Sequence, residues 1–203
     1  MQRVIVYIDG FNLYFGLKSR NWKRYYWLNL QEMAKNLLSP NQQLVATKYF
    51  TSRISGPPDK ARRQSTFLDA LGTLSDFEFF YGRYQQNKRY CRHCGKTDLI
   101  SNEKMTDVNI ATEMMADAFA NKFDTAIVVS ADADLTAPIS KIRAFFGTKT
   151  VVVAFPPKRS SFDLQRVASA TLNIGRGVLA KSVFPPSVQQ ANGHILTRPA
   201  EWI

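Results

Sequence analysis

The chain has 203 residues, 45% hydrophobic and 21% charged, which bounds it to one globular domain with at most an appendage and excludes a long disordered chain. No apolar run approaches the roughly 18 residues that span a bilayer, and the apolar-plus-Asp stretch VIVYID begins almost at Met1, so a cytoplasmic location without membrane contact is expected. Lys and Arg number 27 against 16 Asp and Glu, a net charge of +11, which favours a polyanionic partner, nucleic acid before membrane.

The charge is uneven. Residues 1–104 hold 17 basic and 8 acidic side chains, and residues 105–203 hold 10 and 8. The positive field therefore belongs to the first half.

Taken in chain order, Val4 to Ile8 is a continuous apolar run ending at Asp9-Gly10, the pattern of a strand covered on both faces. Leu44–Thr51 is a second such run. Asp59 to Leu74 carries Phe67, Leu68, Leu71 and Leu74 at helical spacing behind Pro57-Pro58, and Phe77–Tyr81 reads as a strand. Residues 82–104 are polar and basic and hold Cys91 and Cys94; they read as an inserted arm or hairpin. Asp107–Ala120 is predicted as a helix with Asp107 as its N-cap and Val108, Ala111, Met115, Ala118 and Phe119 as its apolar stripe. Thr125–Ser130 and Thr150–Phe155 are further strands, with a helix over Pro138–Phe146 between them. Strands alternating with helices imply right-handed parallel crossovers, hence an α/β three-layer sandwich with a mainly parallel sheet. Residues 176–203 turn to Gly, Pro, Gln and Asn without a period and are expected to form an irregular C-terminal tail, with Trp202 favouring some packing. The expected division is a domain over 1–175, the arm at 82–104 within it, and the tail.

Ligands of an open parallel sheet bind outside the carboxyl ends of its strands. Asp9 ends the first strand, Asp132 and Asp134 follow the strand ending at Ser130, and Asp107 opens a helix after the arm. Taken singly, each is an ordinary cap. Four carboxylates converging on one edge repel one another unless a hard divalent cation joins them, so Mg²⁺ or Mn²⁺ is the expected cofactor. Such ions, singly or paired, activate water against a phosphodiester. His93 in the arm and His194 in the tail are poorly placed for a general base.

Three motifs, YIDGFNLYFG (7–16), EKMTDVNIATEM (103–114) and VVSADADLTAPI (128–139), in that order, together with AFPPKRSSFDLQRVA (154–168), resemble the NYN-domain, LabA-like branch of the PIN-like nucleases over about residues 3–174. The resemblance implies a Rossmann-like PIN fold and metal-dependent ribonuclease chemistry. It also implies a catalytic and metal-binding set of Asp9, Asp107, Asp132 and Asp134, with Asn12 orienting water or phosphate and with Glu103 and Ser130 behind the acids. The family's usual S-G-D-S-D is here Ser130-Ala-Asp132-Ala-Asp134, which removes one hydroxyl and some backbone freedom.

Two clusters interleave cations and aromatics in the manner of single-stranded RNA grips. One holds Lys18, Arg20, Lys23 and Arg24 among Trp22, Tyr25, Tyr26 and Trp27; the other holds Lys88, Arg89 and Arg92 beside Tyr84 and Tyr90. Each reads equally as a solvated surface with aromatics packed beneath it. Cys91-x-x-Cys94 is half of a tetrahedral zinc site, which a symmetric homodimer would complete, or a pair of reduced thiols. Two other functions fit parts of the sequence. A non-catalytic RNA-binding module would keep fold and charge without turnover. A haloacid dehalogenase-type phosphatase would use Asp132-x-Asp134-x-Thr136, but that signature normally opens its domain and leaves Asp9 unexplained.

Overall fold

The computed structural model describes residues 1–54 and 56–203, and their side chains except those of 84–89 and 98–103. Strand β1 (Gln2–Asp9) runs directly into α1 (Gly10–Ser19). Gly10 permits that junction, because a Cβ there would lie 2.8 Å from the Phe50 carbonyl oxygen. Next come a 3₁₀ turn (Lys23–Tyr26), α2 (Leu30–Lys35), β2 (Gln42–Thr51), α3 (Pro58–Leu71) and β3 (Phe77–Tyr81). A hairpin of β4 (Arg83–Tyr90) and β5 (Thr97–Lys104) leads to α4 (Thr106–Phe119), β6 (Thr125–Val129), a 3₁₀ turn (Ala133–Leu135) and α5 (Thr136–Phe145). The fold continues with β7 (Thr150–Phe155), α6 (Phe162–Val167), β8 (Ala170–Asn173), α7 (Arg176–Lys181), β9 (Ser187–Gln189) and β10 (Ile195–Thr197).

Six strands form one sheet in the order β3-β2-β1-β6-β7-β8, every neighbouring pair parallel. Strand β1 alternates cleanly. Val4, Val6 and Ile8 join a core with Leu13 and Leu17 of α1, Met33 of α2 and Leu71 of α3, while Ile5 and Tyr7 join a second core with Ile110 of α4, Ile139 of α5 and Leu164 of α6. Helices thus cover both faces, giving the three-layer α/β, Rossmann-like arrangement. The strand order reverses direction between β1 and β6, which makes the crevice outside their carboxyl ends the topological switch point.

Three expectations need correction. Asp107 is not the N-cap of α4: that place belongs to Met105 in a left-handed conformation (φ 79°), and Asp107 sits in the first turn. The buried stripe of α4 is Ile110, Met114, Asp117 and Ala118, whereas Val108 and Phe119 are 64% and 77% exposed. A charged residue on the apolar face disguised the true phase, because Asp117 reads as solvent-facing until its partner is known. Residues 176–203 are not irregular: α7, the β9–β10 hairpin and a 3₁₀ turn (Ala200–Trp202) fold back, and Leu179, Phe184, Val188 and Leu196 enter the first core. Elements of three to six residues leave no period to read.

Candidate active site

The site grows from the abrupt end of β1. Asp9, 3% exposed, caps α1: its Oδ1 accepts from the Asn12 backbone N–H at 2.9 Å. Its Oδ2 accepts from Asn12 Nδ2 at 2.6 Å and from the Ser130 hydroxyl at 2.9 Å. Ser130 follows β6 and also accepts from the Asp132 backbone N–H at 3.1 Å, so one buried hydroxyl ties the ends of the two switch-point strands. Asp132 in turn caps the 3₁₀ turn, its Oδ1 accepting from the Asp134 N–H at 3.1 Å. Asp9 and Asp132 are thus both caps and are linked to each other through Ser130.

Electrostatics join Asp107 to the group. Its carboxyl is pushed up to about 6, first by burial and then by the charges of Asp132, Asp9 and Asp134. Asp9 is also raised by burial, against the hydrogen bonds of Asn12 and Ser130 that pull it down. The charges of the other three sequence-predicted acids thus reach Asp107. Among the described residues no three His, Cys, Asp or Glu side chains form a group able to hold a metal ion in this arrangement. The donor set nevertheless has the chemistry of a hard divalent cation, being all carboxylate and repulsive enough to lift Asp107.

A cation already touches the site. Arg159, from the loop after β7, donates Nη1–H to Asn12 Oδ1 at 2.7 Å, and the Ala131 backbone N–H donates to the same oxygen at 3.3 Å. Asn12 is therefore held from both ends, by Asp9 through its amide and by Arg159 through its carbonyl. Nothing in the local sequence marks Arg159 for this. The contact spans 147 residues and depends on the parallel sheet setting the end of β7 two places from that of β1.

The basic clusters divide. Lys18 lies 6.0 and 5.6 Å from the Tyr14 and Phe15 ring centroids, and with Lys23 it borders a cavity of about 410 Å³ enclosed by α1, the 23–26 turn, α3 and the 200–202 turn. Arg20 stacks toward Trp22 and Arg24 toward Tyr25. Tyr25 and Trp27 are core residues, Trp27 donating its indole N–H to the Pro185 carbonyl at 2.8 Å. In the arm, Arg92 is exposed on the connecting turn; the side chains of Lys88, Arg89 and Glu103 lie outside the described ones. Cys91 and Cys94 are free thiols on that turn, with the Gly95 N–H donating to the Cys91 carbonyl at 2.9 Å. Backbone N–H groups of Cys94 and His93, then the Cys94 thiol, lower the Cys91 pKa. Among the described residues no third ligand joins the pair.

The NYN domain family model matches residues 3–175. The chain belongs to the NYN domain family, one of the PIN-like nuclease families. A 6-hydroxy-3-succinoylpyridine 3-monooxygenase of Pseudomonas putida (strain DSM 28022 / S16) is 27% identical over 188 residues, covering 74% of this NYN chain and 59% of that protein. The chain thus spans less than two thirds of that relative's length. A crystal structure of a protein of unknown function from Vibrio parahaemolyticus RIMD 2210633 has the same fold, with a TM-score of 0.57, 19% identity, and coverage of 90% of this chain and 96% of that one. Among the described residues no helix is long and apolar enough to cross a membrane.

Proposed function

We propose that this NYN domain is a metal-dependent ribonuclease that hydrolyses phosphodiesters of single-stranded RNA at the carboxyl edge of β1 and β6. The observation that supports the reading is the Ser130 link between Asp9 at the end of β1 and Asp132 beyond β6, with Asp107 pushed up to about 6 by burial and by the charges of Asp132, Asp9 and Asp134. Asp132, Asp134 and Asp107 would hold Mg²⁺ or Mn²⁺ together with Asp9. When bound, the ion supplies Lewis-acid polarisation of the phosphodiester and a more acidic water.

The chain's own residues do the rest. Ser130 and Asn12 fix the orientation of the Asp9 carboxylate, one member of the ligand set. Arg159, half-buried against Asn12, presents guanidinium N–H groups beside the acids, where a phosphate oxygen accepts them. Hydrolysis forms a bond from water oxygen to phosphorus and breaks one ester P–O bond, with the leaving oxygen taking a proton.

The deciding experiment is incubation of the pure protein with labelled single-stranded and duplex RNA in Mg²⁺, Mn²⁺ or EDTA. Cleavage of the single strand that requires a metal and fails in Asp132→Asn supports the reading; cleavage that persists in EDTA, or none in any metal, overturns it. The monooxygenase relative carries a second reading, chemistry on a small heteroaromatic acid, and the cavity beside α1 is the observation that favours it.

A further inference from the structure

The cavity beside α1 is unused by the acidic site, yet the two share a wall. Gly10 and Phe11 line it directly after Asp9 in the chain, and Thr51, one residue beyond Asp9's β2 partner Phe50, lines it from the neighbouring strand. Consecutive Cα atoms are about 3.8 Å apart, so the wall begins within one residue of the Asp9 backbone. Its volume of about 410 Å³ falls within the usual range of ligand pockets, roughly 300–1,000 Å³.

Its chemistry is specific. A run of ring contacts crosses it: Phe15 to Tyr14 at 5.4 Å, Tyr14 to Tyr26 at 5.1 Å and Tyr26 to Trp202 at 5.8 Å. Tyr14 and Phe15 keep 41% and 43% of their surface exposed, although a helix in this position ordinarily buries such rings. Around the rings stand Lys18, Lys23, Lys60 and Arg63, with Glu201 the one carboxylate. Arg63 is engaged by Asp59 and Glu201, whereas the three lysines form no salt bridge among the described residues. Stacking surface ringed by uncompensated positive charge suits a planar heteroaromatic ring joined to a phosphate.

We propose that this cavity is a nucleobase subsite: it takes the base of a nucleotide next to the scissile phosphodiester, stacked on the Tyr14–Tyr26 wall, with Lys18, Lys23 and Lys60 facing the adjoining phosphates. The assignment rests on the ribonuclease reading and deepens it, because a base seated there leaves its phosphate at the Asp9 edge. The C-terminal segment becomes part of the substrate site through Trp202, which packs on Tyr26 of the 23–26 turn and Phe67 of α3.

The test is a scan of a labelled single-stranded RNA in which one nucleotide at a time is abasic, read by fluorescence anisotropy so that no cleavage is needed. One abasic position is expected to weaken binding to the wild type by about 10-fold, within the span of base–aromatic stacking. In Tyr14→Ala the intact RNA is expected to lose a similar factor and the abasic position to lose its effect, while Tyr14→Phe restores both. Lys18→Ala, on an exposed side chain, is expected to weaken intact and abasic RNA alike. Thermal melting of each variant separates lost stacking from lost folding. An abasic penalty absent at every position, or undiminished in Tyr14→Ala, overturns the subsite. So does nicotinate, a heteroaromatic acid without phosphate, if it binds the wild type more tightly than uridine or adenosine monophosphate and loses that binding in Tyr14→Ala. Absence of cleavage in every metal defeats the ribonuclease reading instead and leaves the abasic scan to decide this one.

Discussion

Ser130 Oγ donates to Asp9 Oδ2 at 2.9 Å while accepting from the Asp132 N–H, so a single fully buried hydroxyl spans the two strands between which the sheet reverses its order. Ser130→Ala is expected to destabilise the fold by about 1 kcal/mol, the net worth of a buried hydrogen bond. It also leaves the Asp132 N–H without its acceptor. Denaturant unfolding of wild type and variant measures the loss, and an unchanged midpoint would show that the hydroxyl has no orienting role.

Asp9 and Asp107 are expected to respond in opposite directions to the same substitution. Asp9→Asn replaces a carboxylate that accepts from one donor at Oδ1 and two at Oδ2 with an amide that is itself half donor, so at least one of the Asn12 or Ser130 donors faces an N–H; a loss of about 1–3 kcal/mol follows. Asp107→Asn removes a repelled charge. A carboxyl raised to about 6 in the folded chain stabilises the fold fully only below its unfolded pKa of about 4, and that contribution is lost as pH rises through about 6. In EDTA, the melting temperature of Asp107→Asn should match the wild type near pH 4 and exceed it at pH 8. A variant less stable than the wild type at pH 8 would mean that Asp107 is a structural residue of α4.

Lys48 on β2 is 3% exposed and lies 2.7 Å from Asp117 and 2.8 Å from Glu113 on α4, with the Tyr7 hydroxyl donating to Asp117 at 2.8 Å. Burial pulls the Lys48 ammonium toward neutrality, but Asp117 and Glu113 outweigh it and hold its pKa up. Lys48→Met strips the buried Asp117 of its principal counter-charge and is expected to cost about 3–5 kcal/mol. Adding Asp117→Leu is expected to recover much of that loss, because the stranded charge is gone. If the double variant is as unstable as the single one, packing rather than charge fixes α4 to the sheet.

These contacts mark where the sequence is legible. Apolar runs such as Val4–Ile8 and Thr150–Phe155 announce strands because both faces are covered, and Asp9 and Asp132 announce a site because they stand where such strands end. The Lys48–Asp117 pair hides in the same text, since each charge taken alone reads as surface. Arg159 hides for a different reason: its contact with Asn12 exists only after β7 and β1 are set two places apart in the sheet. The stacking wall of Tyr14, Tyr26 and Trp202 joins segments that no local period connects.

The arm supplies the remaining expectation. Gly82 anchors its base: a Cβ there would lie 2.8 Å from the Lys104 carbonyl oxygen, so the two strands start in close apposition just before α4 and Asp107. Arg83 to Tyr90 pairs antiparallel with Thr97 to Lys104 in unbroken register, which puts the Cys91–Gly95 turn at the end of the hairpin remote from Gly82. An RNA backbone approaching carboxylates is repelled until cations offset them, and under the ribonuclease reading Lys88, Arg89 and Arg92 would be the arm's contribution. Replacing all three with Ala is expected to weaken RNA binding and to reduce the slope of log affinity against log salt by about 2, at roughly 0.7 per single-strand phosphate contact. Melting temperature and the pH response of Asp107 should be unchanged, because the substitutions lie at the outer half of the hairpin. An unaltered affinity and salt slope would reassign the arm to contacts between copies of the chain or to zinc at Cys91 and Cys94, which a titration with Zn²⁺ followed by sedimentation would then reveal.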